Sequence, residues 1–279
     1  MKERIIRRAL KEIIPNEEIN KVITSMDIIG DIAIIKIPWE WEDKRYEIGK
    51  AILSALNGVK GVFRQTSPVD SEYKIRGIEW LAGKKETITV HKEHGCLFKL
   101  DVAKVYFSPR LSFERLRISE LIKKGEIIVN MFAGVGTFSI LIAKRKSPSR
   151  IFSIDKNPDA FNFMLENIVI NHVSNIVFPI LGDAKEVVEE LEGIVDRVLM
   201  PLPDLSLQYL PYAIRCLRNS GWIHVYLHQR GRSRREAVAE AEKLLREKLS
   251  DKIISIRGRV VRSVGKKLYQ VVLDIEIWK

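Results

Sequence analysis

The strongest constraint on this chain is an alternation in its second half. Apolar, β-branched runs at residues 127–131, 150–154, 176–181, 197–200 and 221–227 predict strands. Between them, helical spacing predicts helices at 137–146, 158–171, 184–191 and 207–217, with a preceding helix at 112–123. A long charged helix at 235–249 and two strands, 252–260 and 268–278, joined through Gly265-Lys266-Lys267, close the pattern. Successive parallel strands need a crossover of a dozen residues or more, and the helices supply it. The fold class expected is α/β: an open, Rossmann-like, mostly parallel sheet covered by helices on both faces, with antiparallel C-terminal strands.

The first hundred residues read differently. A helix is predicted over 1–20, with Ile5, Ile6, Leu10 and Ile13 on one face. A strand–turn–strand spans 28–38, split at Gly30-Asp31, and a helix over 45–56 ends before Asn57-Gly58. Short strands follow at 62–65, 87–90 and 96–102, with His94-Gly95 as a turn. The expected division is a small α+β domain over 1–105 and the doubly wound domain over 106–279.

Composition narrows the class of partner. With 46% hydrophobic residues the chain is not disordered. Its longest apolar run, 27–37, is interrupted by Gly30, Asp31 and Lys36, so no membrane helix is expected, and the charged N-terminus does not read as a secretion signal. Two cysteines, Cys96 and Cys216, make no disulfide framework, so a reducing, cytoplasmic location is expected. His91, Glu93 and His94 are too closely spaced, with no third ligand motif nearby, to predict a metal site. The net charge of +11 favours a polyanion such as RNA or DNA.

In an open α/β sheet, ligands bind beyond the carboxyl ends of the strands. Those ends carry Phe132-Ala133-Gly134-Val135-Gly136, then Asp155-Lys156, then Asp183-Ala184, then Pro201-Leu202-Pro203. The glycines let backbone approach a ligand closely. Asp155, roughly 20 residues beyond them, suits a ribose diol, and Asp183 suits an adenine amino group. Ser139 stands where a pyrophosphate loop has its third glycine, and the chain has no P-loop. A nucleoside cofactor without phosphates, S-adenosylmethionine, fits best. A lone Gly-x-Gly is more often a tight turn; four strand ends in agreement reverse that reading.

The stretch from Leu100 to Leu111, including Tyr106-Phe107-Ser108-Pro109-Arg110, followed by Glu114-Arg115 and by Met131-Phe132-Ala133-Gly134-Val135-Gly136, resembles the archaeal and eukaryotic tRNA (guanosine-37) methyltransferase family. Gly30-Asp31-Ile32, His91 to Gly95 and Gly221-Trp222-Ile223-His224 extend the resemblance from about Asp27 onward. It implies a class I methyltransferase domain behind a small RNA-side domain, S-adenosylmethionine as cofactor and the tRNA anticodon loop as partner. It also implies a chain without the N-terminal elbow-binding domain of many archaeal members. No metal or membrane partner and a monomeric state are expected.

The resemblance further implies residue roles. Arg115, Phe132, Gly134, Gly136, Asp155, Lys156, Asp183, Ala184 and Pro201 match cofactor-side positions. Glu114 matches the proposed general base, and Lys74 or Arg76 the cation facing the base carbonyl. Apart from the resemblance, Tyr106, Phe107 and Tyr209 are candidate stackers, though each judged alone is more often a core residue; Arg110 and, in the basic cluster 230–235, Arg230 and Arg232 are candidate phosphate contacts, a solvated loop being the alternative for that cluster. Two departures stand out. Asn130 replaces the usual Asp, and Pro201 replaces an Asn expected to hydrogen-bond the target guanosine. Proline offers neither a polar side chain nor an N–H. Within the family, Pro201 resembles the wyosine-pathway subgroup that methylates carbon 7 of 4-demethylwyosine to isowyosine. Guanosine N1-methylation, aminocarboxypropyl transfer and a non-catalytic RNA-binding module stand as alternatives.

Overall fold

A computed structural model describes residues 2–67 and 73–279, with side chains from residue 5 onward. The chain forms two units, Met1–Ser112 and Phe113–Lys279.

In the first unit, the single helix expected over 1–20 is instead two, α1 (Lys2–Leu10) and α2 (Asn16–Ser25). Pro15 separates them: it has no N–H to continue the helix and sits at extended ψ, 150°, as the N-cap of α2. Strands β1 (Asp27–Ile29) and β2 (Ile32–Ile35) flank the Gly30-Asp31 turn, followed by helix α3 (Arg45–Ala55) and β3 (Gly61–Gln65). A strand not foreseen, β4 (Ile78–Gly83), completes a sheet of order β1-β2-β3-β4. Ile6, Leu10, Ile19, Val22, Ile35, Ile48, Ile52 and Leu81 form the core of this unit. Strands β5 (Ile88–Glu93) and β6 (Cys96–Asp101) make an antiparallel hairpin. Gly30 turns at φ +55°, and a Cβ there would meet Thr89 Oγ1 at 2.1 Å, so only glycine fits.

The second unit follows the α/β expectation. Helix α4 (Ser112–Glu120) leads into β7 (Ile127–Asn130), α5 (Thr137–Arg145), β8 (Arg150–Asp155), α6 (Pro158–Ile170) and β9 (Val177–Leu181). Then come α7 (Ala184–Val187), β10 (Val195–Met200), α8 (Ser206–Cys216), β11 (Leu217–Arg230), α9 (Arg234–Leu249), β12 (Ile253–Gly265) and β13 (Leu268–Trp278). The seven-stranded sheet has the order β12-β13-β11-β10-β7-β8-β9. Strands β7 to β11 pair in parallel, and β13 joins antiparallel between β11 and β12. The order reverses between β7 and β10, which opens a crevice at their carboxyl ends. The helix expected over 184–191 is one turn of α-helix followed by a 3-10 turn, Val188–Leu191. Among the described residues, no helix is long and apolar enough to cross a membrane.

Candidate active site

The glycine loop leaves β7 with Gly134 at φ +56° and Gly136 at φ +88°. A Cβ on Gly136 would lie 2.9 Å from Ile140 Cδ1 and 3.1 Å from Met164 Cγ, so the turn requires glycine on two counts. The buried Asn167 of α6 donates to the Val135 carbonyl at 3.1 Å and pins the loop. Gly134 N–H donates to Asp155 Oδ2 at 2.6 Å, and Asn157 N–H to Oδ1 at 3.0 Å. Burial pushes the Asp155 carboxyl up despite these two donors.

At the next strand end, Asp183 caps α7 and accepts from Lys185 N–H at 3.0 Å. Tyr209 O–H donates to both of its oxygens, at 2.8 and 3.0 Å. Burial alone would raise the Asp183 carboxyl, but these donors hold it below its ordinary value. Tyr209 meets Phe132 edge to face at 5.1 Å, and Ala184 is buried. Lys156 follows Asp155, half-buried. Pro201 follows β10, also half-buried, where Ser206 Oγ donates to the carbonyls of Met200 and Leu202 at 2.9 Å each. Asn130 Nδ2 donates to Ser139 Oγ at 3.2 Å, while Asn130 Oδ1 is buried without a partner among the described residues. A cradle shaped by two positive-φ glycines, two acceptor carboxylates and an orphaned acceptor fits a cofactor with ribose hydroxyls and amino groups.

Glu114 of α4 is buried, 2% exposed, and its oxygens are fully engaged. Arg117 donates to both, at 2.7 and 3.0 Å; Tyr226 O–H donates to Oε1 at 2.8 Å; Arg259 Nη1 donates to Oε2. Arg117 also grips Asp274 at 2.6 and 3.1 Å, and His224 Nδ1 meets Asp274 Oδ1 at 2.6 Å. The far ring nitrogen of His224 lies 2.8 Å from Arg197 Nη1, and Arg197 donates through Nε and Nη2 to Glu126 at 2.8 Å each. A guanidinium only donates, so His224 Nε2 accepts and Nδ1 carries the proton. Arg115, next to Glu114, is buried as well.

Sequence reading singled out Glu114 as a candidate but none of the partners that hold it. Arg117, three positions on, was visible; Arg259, 145 positions away, has no local signal. Two stacking candidates prove to be interior. Phe107, 3% exposed, packs on His91 and Phe98, and Tyr209, 5% exposed, serves Asp183. Arg232 is tied to Glu236, whereas Arg230 is exposed at the end of β11. In the first unit, Arg76 pairs with Asp27 and donates to the Phe107 carbonyl at 3.0 Å, and Arg110 pairs with Asp27 at 2.7 Å. Lys74 lies in a turn at φ +55°, and Tyr106 is half-buried. His91 Nδ1 accepts from Gly30 N–H at 3.1 Å. Among the described residues, no cluster of three metal-ligating side chains occurs.

The family profile described as the TRM5/TYW2 methyltransferase domain matches residues 89–254, well over half of the chain. The chain belongs to the TRM5/TYW2 methyltransferase family. A second profile, the TYW2 N-terminal domain, matches residues 6–87. The Pyrococcus abyssi tRNA (guanine(37)-N(1))-methyltransferase Trm5b is 39% identical over 99% of this chain and 82% of its own. Its crystal structure superposes with TM-score 0.82, 38% identity and coverage of 95% of this chain and 78% of that one. The Saccharolobus solfataricus tRNA 4-demethylwyosine(37)-methyltransferase Taw21 is 38% identical over 90% of this chain and 93% of its own. The crystal structure of Methanocaldococcus jannaschii TYW2 in complex with AdoMet superposes with TM-score 0.68, 30% identity and coverage of 91% and 99%. The TRM5/TYW2 chain described here is thus a methyltransferase-family enzyme with the class I fold.

Proposed function

We propose that the chain methylates the position-37 purine of tRNA-Phe, acting in the cytoplasm at carbon 7 of 4-demethylwyosine to give isowyosine. The observation that carries the choice of atom is Pro201. It follows β10, at the crevice, with no polar side chain and no N–H to read a guanine edge. A flat, apolar wall suits a tricyclic base. A ring carbon attacks without prior loss of an N–H proton, so at carbon 7 the proposed base Glu114 is needed only for the later loss of the ring proton.

S-adenosylmethionine, when bound, supplies an electrophilic methyl group. Asp155 is suited to its ribose hydroxyls, Asp183 to its adenine amino group, and Asn130 Oδ1 is an acceptor awaiting a donor. Gly134 and Gly136 let backbone approach, with Phe132, Lys156 and Ala184 around them. Arg115 and Glu114 sit on the helix that precedes the loop. For the base and its loop, Lys74 or Arg76, Tyr106, Arg110, Arg230 and Arg232 are the proposed contacts. RNA affinity resting on such cations weakens with salt.

The likeness to Trm5b favours a second reading, N1-methylation of guanosine-37, alone or in addition. The likeness to a Methanocaldococcus jannaschii tRNA(Phe) (4-demethylwyosine(37)-C(7)) aminocarboxypropyltransferase, 35% identical over 88% of this chain, favours a third, aminocarboxypropyl transfer. One experiment separates the three. Labelled S-adenosylmethionine is offered with tRNA-Phe carrying either guanosine or 4-demethylwyosine at position 37, and product nucleosides are resolved by mass. A methylated tricycle is expected. Product on guanosine alone, or an aminocarboxypropyl adduct, overturns the proposal.

A further inference from the structure

The two arginines on Glu114 are held very differently. Arg117 is locked between two carboxylates, Glu114 and Asp274, and its side chain is 18% exposed. Arg259 reaches Glu114 from strand β12, is 34% exposed, and lies over the ring of Phe113, itself 66% exposed. Glu114 is the only carboxylate partner of Arg259 among the described residues. If one donor leaves Glu114, it is Arg259; Arg117 and Tyr226 then still neutralise and orient the carboxylate, and Oε2 gains a vacant lone pair.

Strand β12 supplies the reason for it to leave. In register with β13, Arg257 stands opposite Asp274, Arg259 opposite Val272 and Arg262 opposite Gln270. The intervening residues of β13, Val271 and Leu273, are in the core, so the three arginines share the opposite face of the sheet. A bulge between Val260 and Arg262 keeps the third in line. The row ends at the Lys266-Lys267 turn, whose Lys267 carbonyl accepts from Gly231 N–H at 3.1 Å, beside Arg230. Arg257, Arg259 and Arg262 thus share one face of β12, with Arg259 on Glu114, and the polyanionic backbone of RNA is the ligand whose charge suits such a row.

We propose that Arg259 is an exchangeable positioning residue: an RNA phosphate draws it away from Glu114, and docking of the RNA thereby uncovers Glu114 Oε2. The exchange trades one anion for another on a guanidinium at the protein surface, so it requires no buried charge to be left alone. It deepens the proposed tRNA reading, and it rests on that reading only for the identity of the RNA.

The test is a double-mutant cycle on the affinity of the full-length protein for a tRNA-Phe transcript, measured as a function of salt. In the free protein Glu114 competes with phosphate for Arg259. Glu114→Gln is therefore expected to tighten RNA binding at least about threefold. Arg259→Met is expected to weaken it about tenfold and to flatten the log Kd against log salt slope by about 0.7, one single-strand phosphate contact. Arg259→Lys keeps the charge and restores most of the slope. In the Arg259→Met background, Glu114→Gln loses its effect. A Glu114→Gln variant that binds RNA no tighter, or effects that simply add in the double variant, overturns the exchange. Methyl transfer by Glu114→Gln is scored separately. Unimpaired turnover removes Glu114 as a base, yet leaves the binding cycle to decide on Arg259.

Discussion

Tyr209 donates its single phenolic proton across both carboxylate oxygens of Asp183, at 2.8 and 3.0 Å. Burial and the Asp183 charge push the tyrosine hydroxyl well above its ordinary value, so the proton stays on the phenol. The carboxylate is thereby held by the phenol at the carboxyl end of β9, where it caps α7. Hydrogen bonds to a charged group contribute about 1.5–3 kcal/mol. Tyr209→Phe is expected to raise the S-adenosylmethionine Kd about tenfold by calorimetry, with a circular dichroism spectrum like that of the parent.

Pro201 yields a gain-of-function expectation. Pro201→Asn restores a side-chain amide and a backbone N–H at the end of β10. One bidentate amide contact to a base edge discriminates by about 1–3 kcal/mol. The variant is expected to raise the ratio of methylated guanosine to methylated tricycle at least about tenfold in the mass-resolved assay. An unchanged ratio removes Pro201 as the specificity determinant.

The buried ionic chain predicts acid sensitivity with a defined sign. Burial, first, and the neighbouring arginines hold the His224 imidazole below its ordinary value although Asp274 pulls the other way. Below about pH 6.5 the unfolded chain takes up a proton at this histidine that the folded protein refuses, so stability falls with pH from there. Asp274 acts lower down. Burial alone would raise its carboxyl, but His224 and Arg117 hold it far below the carboxylate range. Its contribution is complete above about pH 4 and is lost only as pH falls toward the folded value. Urea midpoints at pH 7.5 and 5.0 check the first window. The parent is expected to lose more between them than His224→Gln, which has no proton to take up.

Much of this was legible in the residues because strand ends report ligands. The alternation of periods fixed the second unit, and Asp155 and Asp183 lie where that alternation put them. What escaped has physical causes. Ile5 to Ile13 has helical spacing, and Pro15 is compatible with a first turn, so spacing alone did not reveal two helices. Ile78–Gly83 mixes apolar residues without alternation because only Leu81 and Ala82 of it are buried, and it reads as no strand. Phe107 and Tyr209 carry the chemistry of stackers as well as of core residues, and their burial agrees with the core reading that aromatic residues judged alone favour. The environment of Glu114 is assembled from α4, β11 and β12, and no spacing rule reaches across such separations.

The sheet order also has a meaning for the chain while it is being made. Its two outer strands are β12 and β9, and each offers unpaired backbone groups along one side. Such edges recruit strands from other molecules unless something spoils them. On β9 it is Pro179, set mid-strand and unable to donate. On β12 it is the arginine row together with three breaks in register. A second copy approaching that edge meets its own charge and a kinked template. The cations proposed to meet RNA are thus also expected to keep the longest open edge among the described strands from adhering to itself.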